Sequence, residues 1–163
     1  PVFDEKLDTW VAPFFMAPIN TKNIHRSNSL MNHFYGEDFC YNEMWVQGSG
    51  DAGKAAADFI SSSNPLSDAP KPGEGPSRES RENGNYDVLF CGDIDEQSVH
   101  VSVKGDMDPG YGSTSKMISE SAICLVKECE DLHGGIYTPA PAMGTKLIQR
   151  LQDNAGLTFE IEN

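Results

Sequence analysis

The chain has 163 residues, a formal net charge of −13 and a mean hydropathy of −0.45, values that fit an ordinary water-exposed domain with one buried core. The strong negative charge disfavours binding to nucleic acids and to anionic membrane surfaces. The sequence contains no apolar run near the ~20 residues that cross a bilayer, and its first residues show no signal-peptide pattern. We therefore expect an intracellular protein, cytoplasmic or organellar, that is neither secreted nor membrane-associated.

The first half of the chain alternates between extended and helical patterns. Residues 1–19 predict an apolar, extended segment, and Asn20 is predicted to cap a helix that runs to about Asn32. Alternating side chains over 39–46 predict a strand. The glycines at 48–53 then lead into a short predicted helix over roughly 54–61.

The second half begins with a long segment, 62–85, that is rich in proline, glycine and serine and predicts a surface loop. Tyr86–Cys91 and the alternating valines at 99, 101 and 103 predict a hairpin. Ser113 or Thr114 is predicted to cap the following helix. We expect Ile118, Ala122, Leu125 and Cys129 to form its buried stripe, with Lys116, Glu120 and Lys127 on the opposite face.

A second amphipathic helix around 144–151 and a final alternating strand over 157–161 complete the pattern. Together these elements predict a mixed α+β fold with a largely antiparallel sheet and helices packed on one face. We expect residues 1–163 to form one domain. The four cysteines lack C-x-x-C pairing and the histidines lack H-x-x-x-H spacing, so we predict reduced, buried thiols and no metal site.

The glycines at 48, 50 and 53 match G-x-G-x-x-G, and Gly48–Lys54 matches a P-loop that lacks its final hydroxyl residue. The surroundings fit neither pattern. The preceding strand alternates instead of being apolar on both faces, and Asp68, at about the offset of a ribose-binding acid, lies in the proline-rich loop. Asp51 places a negative charge among amides that would have to hold phosphate. We interpret this motif as a connection between strand and helix.

Three segments carry a family resemblance in conserved order along this chain: APFFMAPINTKNIHRSNSLM (12–31), KPGEGPSRESRENG (71–84), and GDMDPGYGSTSKMISESAICL through GGIYTPAPAMGTKLIQRL. They resemble the C-terminal half of the saccharopine dehydrogenase-like oxidoreductases, a family that includes the trans-acting enoyl reductases. Many of those relatives carry a hydrophobic stretch, linked in some to membranes. This chain has the polar ISSSNPLSDAP there, which argues against membrane association.

The resemblance implies that the chain is the second, α+β domain of such an oxidoreductase, bearing the substrate side and the subunit contacts. The family's NAD(P)-binding Rossmann domain would lie upstream, so no cofactor is expected on this chain alone. The implied partners are that missing domain or another protein subunit, with a homodimer as a further expectation.

Candidate site residues lie in three places: the turn after residue 108, the first helix, and Thr138. The turn that enters the helix after residue 108 offers Gly110, Tyr111, Gly112, Ser113 and Thr114 to a substrate, because free amides at a helix N-terminus attract anions. Tyr111 and Lys116 are the catalytic candidates, as a proton donor and a partner for a carboxylate. A Gly-rich turn with a helix cap explains the same residues without a ligand.

A basic stripe on the first helix includes Lys22 and Arg26, which are the candidates for binding a cofactor phosphate. A solvated helix face explains the same residues. The resemblance adds Asn20 and Thr138 to the substrate side, although a proline at the first helical position explains Thr138-Pro139 equally well.

Two functions remain open at this stage. The chain is either the substrate-binding and dimerisation domain of an NAD(P)-dependent oxidoreductase that reduces an acyl or imine group, unable to turn over alone, or a non-enzymatic interaction or assembly subunit derived from that family.

Overall fold

The computed structural model describes residues 1–63, 71 and 73–162. The chain divides into two compact units, Pro1–Ala69 and Pro70–Asn163. The expectation of one domain over residues 1–163 stays a prediction. None of the helices in the described part of the chain combines the length and apolar character needed to cross a membrane.

The first unit contains a three-stranded antiparallel sheet in the order β1-β2-β3 and two helices. Its elements are β1 (Val2–Asp4), β2 (Thr9–Pro13), α1 (Ala17–Leu30), β3 (Met44–Gly48) and α2 (Gly50–Ser62). Helix α2 packs on β2 and β3. Ala57 of α2 and Ala12 of β2 are fully buried, which small side chains permit because they let a helix approach a sheet closely.

Three predicted boundaries in this unit are wrong. Helix α2 begins at Gly50 instead of 54, so Gly50 and Gly53 lie inside the helix and only Gly48 of the glycine motif precedes it. Helix α1 is capped by Met16, with a proline in its first turn, so Asn20 lies inside the helix and does not cap it. Strand β3 begins at Met44 instead of 39. The reason is that Glu43 accepts hydrogen bonds from both Asn20 and Tyr41, which ties the preceding residues to α1 instead of to the sheet.

The second unit contains another three-stranded antiparallel sheet, in the order β4-β5-β6. Its elements are α3 (Arg78–Asn83), β4 (Tyr86–Ile94), β5 (Gln97–Gly105), α4 (Gly112–Glu128), α5 (Pro139–Asn154) and β6 (Leu157–Glu162). The predicted hairpin and the α+β class are confirmed, although the strands are divided between two sheets. The predicted loop 62–85 is wrong where α3 interrupts it; residues 64–70 and 72, with Asp68, lie outside the described residues.

Helices α4 and α5 cover the apolar face of this second sheet. Its core joins Leu151 and Ala155 of α5 to Leu157 of β6, with Val103, Met117, Leu147 and Phe159 packed around them. On the opposite face, Lys104 lies between Asp87, Glu160 and Glu162 at 3.7–3.9 Å. The hydroxyl of Ser102 and the ammonium of Lys104 hold the pKa of Glu162 below its ordinary value.

The predicted buried stripe of α4 is wrong. Ile118 and Leu125 are exposed, whereas Cys124 is fully buried. Glu120, predicted on the outer face, instead accepts a hydrogen bond from Arg150 of α5 at 2.5 Å, and Glu128 accepts another at 2.6 Å. The helix is therefore oriented by a charged contact with α5, because an arginine fork pairs well with two carboxylates.

Candidate functional site

The turn between β5 and α4 is organised by the carboxylate of Asp108. It accepts hydrogen bonds from the backbone amides of Gly110, Tyr111 and Gly112, at 3.1, 3.0 and 2.5 Å. An acceptor at this position satisfies donors that a helix N-terminus leaves unpaired and complements the helix dipole. Amides that were predicted to bind a substrate anion therefore already donate to a side chain of the same turn.

Ser113 and Thr114 lie within α4, and the N-cap position belongs to Tyr111. The prediction that Ser113 or Thr114 caps the helix is therefore wrong, because Asp108 provides the cap from outside. Ser113 is fully buried and its hydroxyl is 2.8 Å from that of Tyr86. The Thr114 hydroxyl donates to the carbonyl of Pro109 at 2.6 Å. Both hydroxyls fix the turn to its neighbours.

Tyr111 lines a cavity between α3 and the start of α4. The cavity has a volume of about 490 Å³ and is lined by Arg78, Arg81, Glu82, Met107, Tyr111, Gly112 and Ser115. This volume lies within the range of ~300–1,000 Å³ typical of small-molecule sites, but the cavity is largely open to solvent. The Tyr111 side chain is about half exposed, and its hydroxyl donates to the carbonyl of Glu74 at 3.4 Å.

The cavity wall carries both charged and apolar groups. Arg78 pairs with Glu82 at 2.6 Å, and Arg81 donates to the carbonyl of Pro76 at 3.1 Å. Met107 and the Tyr111 ring supply apolar surface. A ligand with one polar or anionic end and an apolar body would match this lining.

The sequence prediction missed both arginines, because the segment that contains them was interpreted as a loop. A local signal for α3 was present. Ser77 accepts from the amide of Ser80 as an N-cap residue, and the Arg78–Glu82 spacing is the i,i+4 pair that favours a helix.

Lys116 does not line this cavity. Its ammonium lies 2.5 Å from the carboxylate of Asp106, and its side chain is 28% exposed. Its charge is thus engaged within the β5–α4 connection. Thr138 occupies the N-cap position of α5, directly before a proline in the first turn.

The remaining candidates belong to the first unit. Asn20 donates to Glu43 at 2.9 Å, and Tyr41 donates to the same carboxylate at 2.5 Å. Burial, followed by this hydrogen bond and the charge of Glu43, raises the pKa of Tyr41. Lys22 and Arg26 lie on the exposed side of α1. Asn20 therefore holds the connection between α1 and β3 in place.

The glycines at 48, 50 and 53 do not fit a dinucleotide site. A Rossmann fingerprint follows a strand of a parallel sheet, whereas β3 pairs antiparallel with β2. Gly48 has a φ of +102°, and a Cβ on Gly53 would meet the Gly48 carbonyl oxygen at 1.9 Å. Lys54, at the P-loop lysine position, lies over the ring of Trp10 at 5.5 Å. The backbone conformation of Gly48, the close approach at Gly53 and the contact of Lys54 with Trp10 explain these residues without a bound nucleotide.

Among the described residues, no group of three or more histidine, cysteine, aspartate or glutamate side chains is arranged to hold a metal ion. The prediction of buried thiols is wrong for Cys40 and Cys91, which are exposed.

The chain is similar to curated proteins named trans-acting enoyl reductases. It is 33% identical to one from Mycobacterium tuberculosis over 90% of this chain. It is 29% identical to those of Mycobacterium ulcerans and Mycobacterium bovis over 87% of this chain. The chain spans about 40% of the length of these relatives. No protein-family model matches the chain, and no solved structure matches it. The chain is thus homologous to part of proteins that are named as oxidoreductases.

Proposed function

We propose that this chain is the C-terminal, substrate-side part of a saccharopine dehydrogenase-like, NAD(P)-dependent oxidoreductase related to the trans-acting enoyl reductases. The similarity to those reductases supports this proposal, because it extends over 90% of this chain and only 40% of the relative. The rest of such a protein would contain the Rossmann domain. In this proposal a nicotinamide on that domain supplies or accepts the hydride.

In this proposal the cavity between α3 and α4 receives an acyl or imine substrate. Arg81 would orient a polar end of the substrate, and the side chains of Met107 and Tyr111 would contact its apolar part. The Tyr111 side chain is half exposed, and its hydroxyl would exchange its long hydrogen bond to the Glu74 carbonyl for one to the reacting group. Lys22 and Arg26 are proposed to contact a cofactor phosphate. The chain alone would bind substrate without turning it over.

The experiment is a kinetic comparison in the full-length polypeptide that contains this chain, assayed by NADPH oxidation with enoyl-thioester and imine substrates. Tyr111→Phe removes only the hydroxyl and is expected to lower kcat/KM at least about tenfold. Tyr137→Phe is the matched control, since Tyr137 is also exposed in the second unit and does not line the cavity. Equal activity of both variants would exclude Tyr111 from the reaction.

A second candidate function is a non-enzymatic interaction or assembly subunit. The large number of exposed apolar side chains, among them Phe34, Phe59 and Val126 at 69–79% exposure, favours an interaction role. Mass spectrometry of the native polypeptide distinguishes the two. A Rossmann sequence upstream on the same chain supports the oxidoreductase, and a mature terminus near Pro1 supports the subunit.

A further inference from the structure

A second cavity lies in the first unit, where the end of β2 and strand β3 meet the last turn of α2. Its volume is about 230 Å³, which suits one compact chemical group better than a drug-sized molecule. The cavity is lined by Pro13, Phe15, Trp45, Ile60, Ser61 and Ser63. None of these lining side chains is charged, so a ligand in this cavity is recognised by aromatic surface and by the fixed dipoles around it.

Aromatic rings form two walls of the cavity. Phe15 and Trp45 meet nearly edge to face, with ring centroids 5.9 Å apart and planes at 65°. Phe14 contacts both rings, at 5.1 Å from Phe15 and 5.2 Å from Trp45, and holds them in this orientation. Both wall rings nevertheless remain accessible, Phe15 at 42% and Trp45 at 37% exposure. Proteins bind organic ammonium ions between rings that are held at an angle, because the face of an aromatic ring carries negative potential.

The last turn of α2 brings a second source of negative potential to the cavity. Ile60, Ser61 and Ser63 lie at the C-terminus of this helix, which is the negative end of its dipole. Helix α2 is described over its whole length and has no basic residue in its last turn. The hydroxyls of Ser61 and Ser63 donate to carbonyls of the helix at 2.8 and 3.0 Å, so they present oxygen lone pairs to a ligand. These groups favour a cation over an anion.

The charge of the chain acts in the same direction. A formal net charge of −13 raises the local concentration of cations around the protein. The first unit also contains one cation that is already held by an aromatic ring, since the ammonium of Lys54 lies 5.5 Å from the centroid of the Trp10 ring.

We propose that this second cavity, which we call the aromatic pocket, binds the alkylated ammonium group of an organic cation. This proposal is independent of the proposed catalytic function. The alkyl groups of the ligand contact Ile60 and the rings of Phe15 and Trp45, and its positive charge faces these rings and the end of α2. A bare metal ion is not selected, because the described lining residues offer no carboxylate. A neutral alkyl group makes the same apolar contacts without the electrostatic attraction, so charge decides the specificity.

The test is a titration of the isotope-labelled 163-residue chain with choline, followed by the indole N–H signals in NMR spectra. The chain contains two tryptophans, so the Trp45 signal reports on the aromatic pocket and the Trp10 signal is an internal reference. The matched ligand is dimethylbutanol, in which a carbon atom replaces the nitrogen of choline. We expect choline to bind at least about tenfold more tightly than dimethylbutanol. This difference should shrink at high salt.

Two pairs of variants separate the contribution of the rings from that of the charge. Phe15→Leu keeps an apolar side chain but removes one ring, and it should weaken choline binding at least about fivefold. Phe59→Leu is its control, because Phe59 is 69% exposed in the same unit and does not line the pocket. Ser63→Lys places a positive charge beside the pocket and should weaken choline binding at least about tenfold, whereas the uncharged Ser63→Gln should not. A lysine at a helix C-terminus is favourable, and far-UV circular dichroism establishes that each variant is folded.

Equal affinities for choline and dimethylbutanol would overturn the proposal, because the pocket would then be a purely apolar site. So would a Trp45 signal that ~10 mM choline leaves unmoved, unchanged choline binding by Phe15→Leu, or equal affinities of Ser63→Lys and Ser63→Gln. A peptide that carries trimethyllysine distinguishes the source of the ammonium group. Tighter binding of this peptide than of choline assigns the group to a modified partner protein, and equal or weaker binding assigns it to a small molecule.

Discussion

Substitution of Gly53 by alanine tests whether the glycine motif serves chain packing. A Cβ at this position would lie 1.9 Å from the carbonyl oxygen and 2.4 Å from the carbonyl carbon of Gly48. Both are backbone atoms, so rotation of a side chain cannot relieve the clash. To restore ordinary contact, α2 would have to move away from β3 by roughly 1.5 Å, which disturbs the packing of α2 on β2, where Ala57 and Ala12 are fully buried.

The expected loss of stability is about 2 kcal/mol. Forcing an extra atom into a packed interface costs about 1–3 kcal/mol, and backbone contacts place this site at the upper end. Alanine recovers up to about 1 kcal/mol because it favours the helix over glycine. Ala52→Ser adds one heavy atom at an exposed neighbouring position and should change stability by less than about 0.5 kcal/mol.

Tryptophan fluorescence during urea unfolding measures this effect selectively. Both tryptophans, Trp10 and Trp45, lie in β2 and β3 of the first unit, so their emission reports the unfolding of that unit. If Gly53→Ala unfolds at the same urea concentration as the parent, then α2 does not approach β3 as closely as described. The presence of glycine at position 53 would then need another explanation.

Three further predictions concern the second unit. Asp108→Ala should cost about 1–2 kcal/mol in urea unfolding followed by circular dichroism, because three backbone amides at the start of α4 and in the turn before it lose their acceptor. Asp108→Asn should cost less, and equal losses would argue that the negative charge of Asp108 contributes nothing. Ellman's reagent should label exposed Cys91 rapidly and Cys124 only on unfolding, because burial shields the Cys124 thiol and raises its pKa. Equal labelling rates for the two thiols would contradict the burial of Cys124. The lowered pKa of Glu162 adds stability above the unfolded pKa of ~4.3, and this contribution is lost as pH falls through the folded pKa. The unfolding midpoints of Glu162→Gln and the parent should therefore differ more at pH 7 than at pH 3.

The hairpin of β4 and β5 could be predicted from the sequence because alternation along each strand is a local property. The buried face of α4 could not be predicted from the sequence in this way. Arg150, which lies 30 residues after Glu120, draws that carboxylate inward, and the outer side of the helix is left with Ile118 and Leu125. A hydrophobic pattern alone cannot reveal a contact made by a distant arginine.

The candidate site was predictable in part. The sequence identified the turn with Tyr111, which lines the cavity, but it assigned the helix amides to a ligand. In the structure the amide of Gly110 instead donates to Asp108, two residues earlier in the chain. The two arginines that complete the cavity come from α3, a helix of six residues within a segment whose prolines and glycines favoured a loop. Short helices of this kind depend on capping and tertiary contacts more than on composition.

NADPH titration is the sharpest test of the proposal that another domain of the protein holds the cofactor. Titration of NADPH into the 163-residue chain, followed by its own fluorescence, should show no saturable binding up to ~1 mM. The full-length polypeptide should bind with micromolar affinity. Micromolar binding by the 163-residue chain, abolished by Gly53→Ala but not by Ala52→Ser, would contradict the account and restore the glycine motif as a nucleotide site.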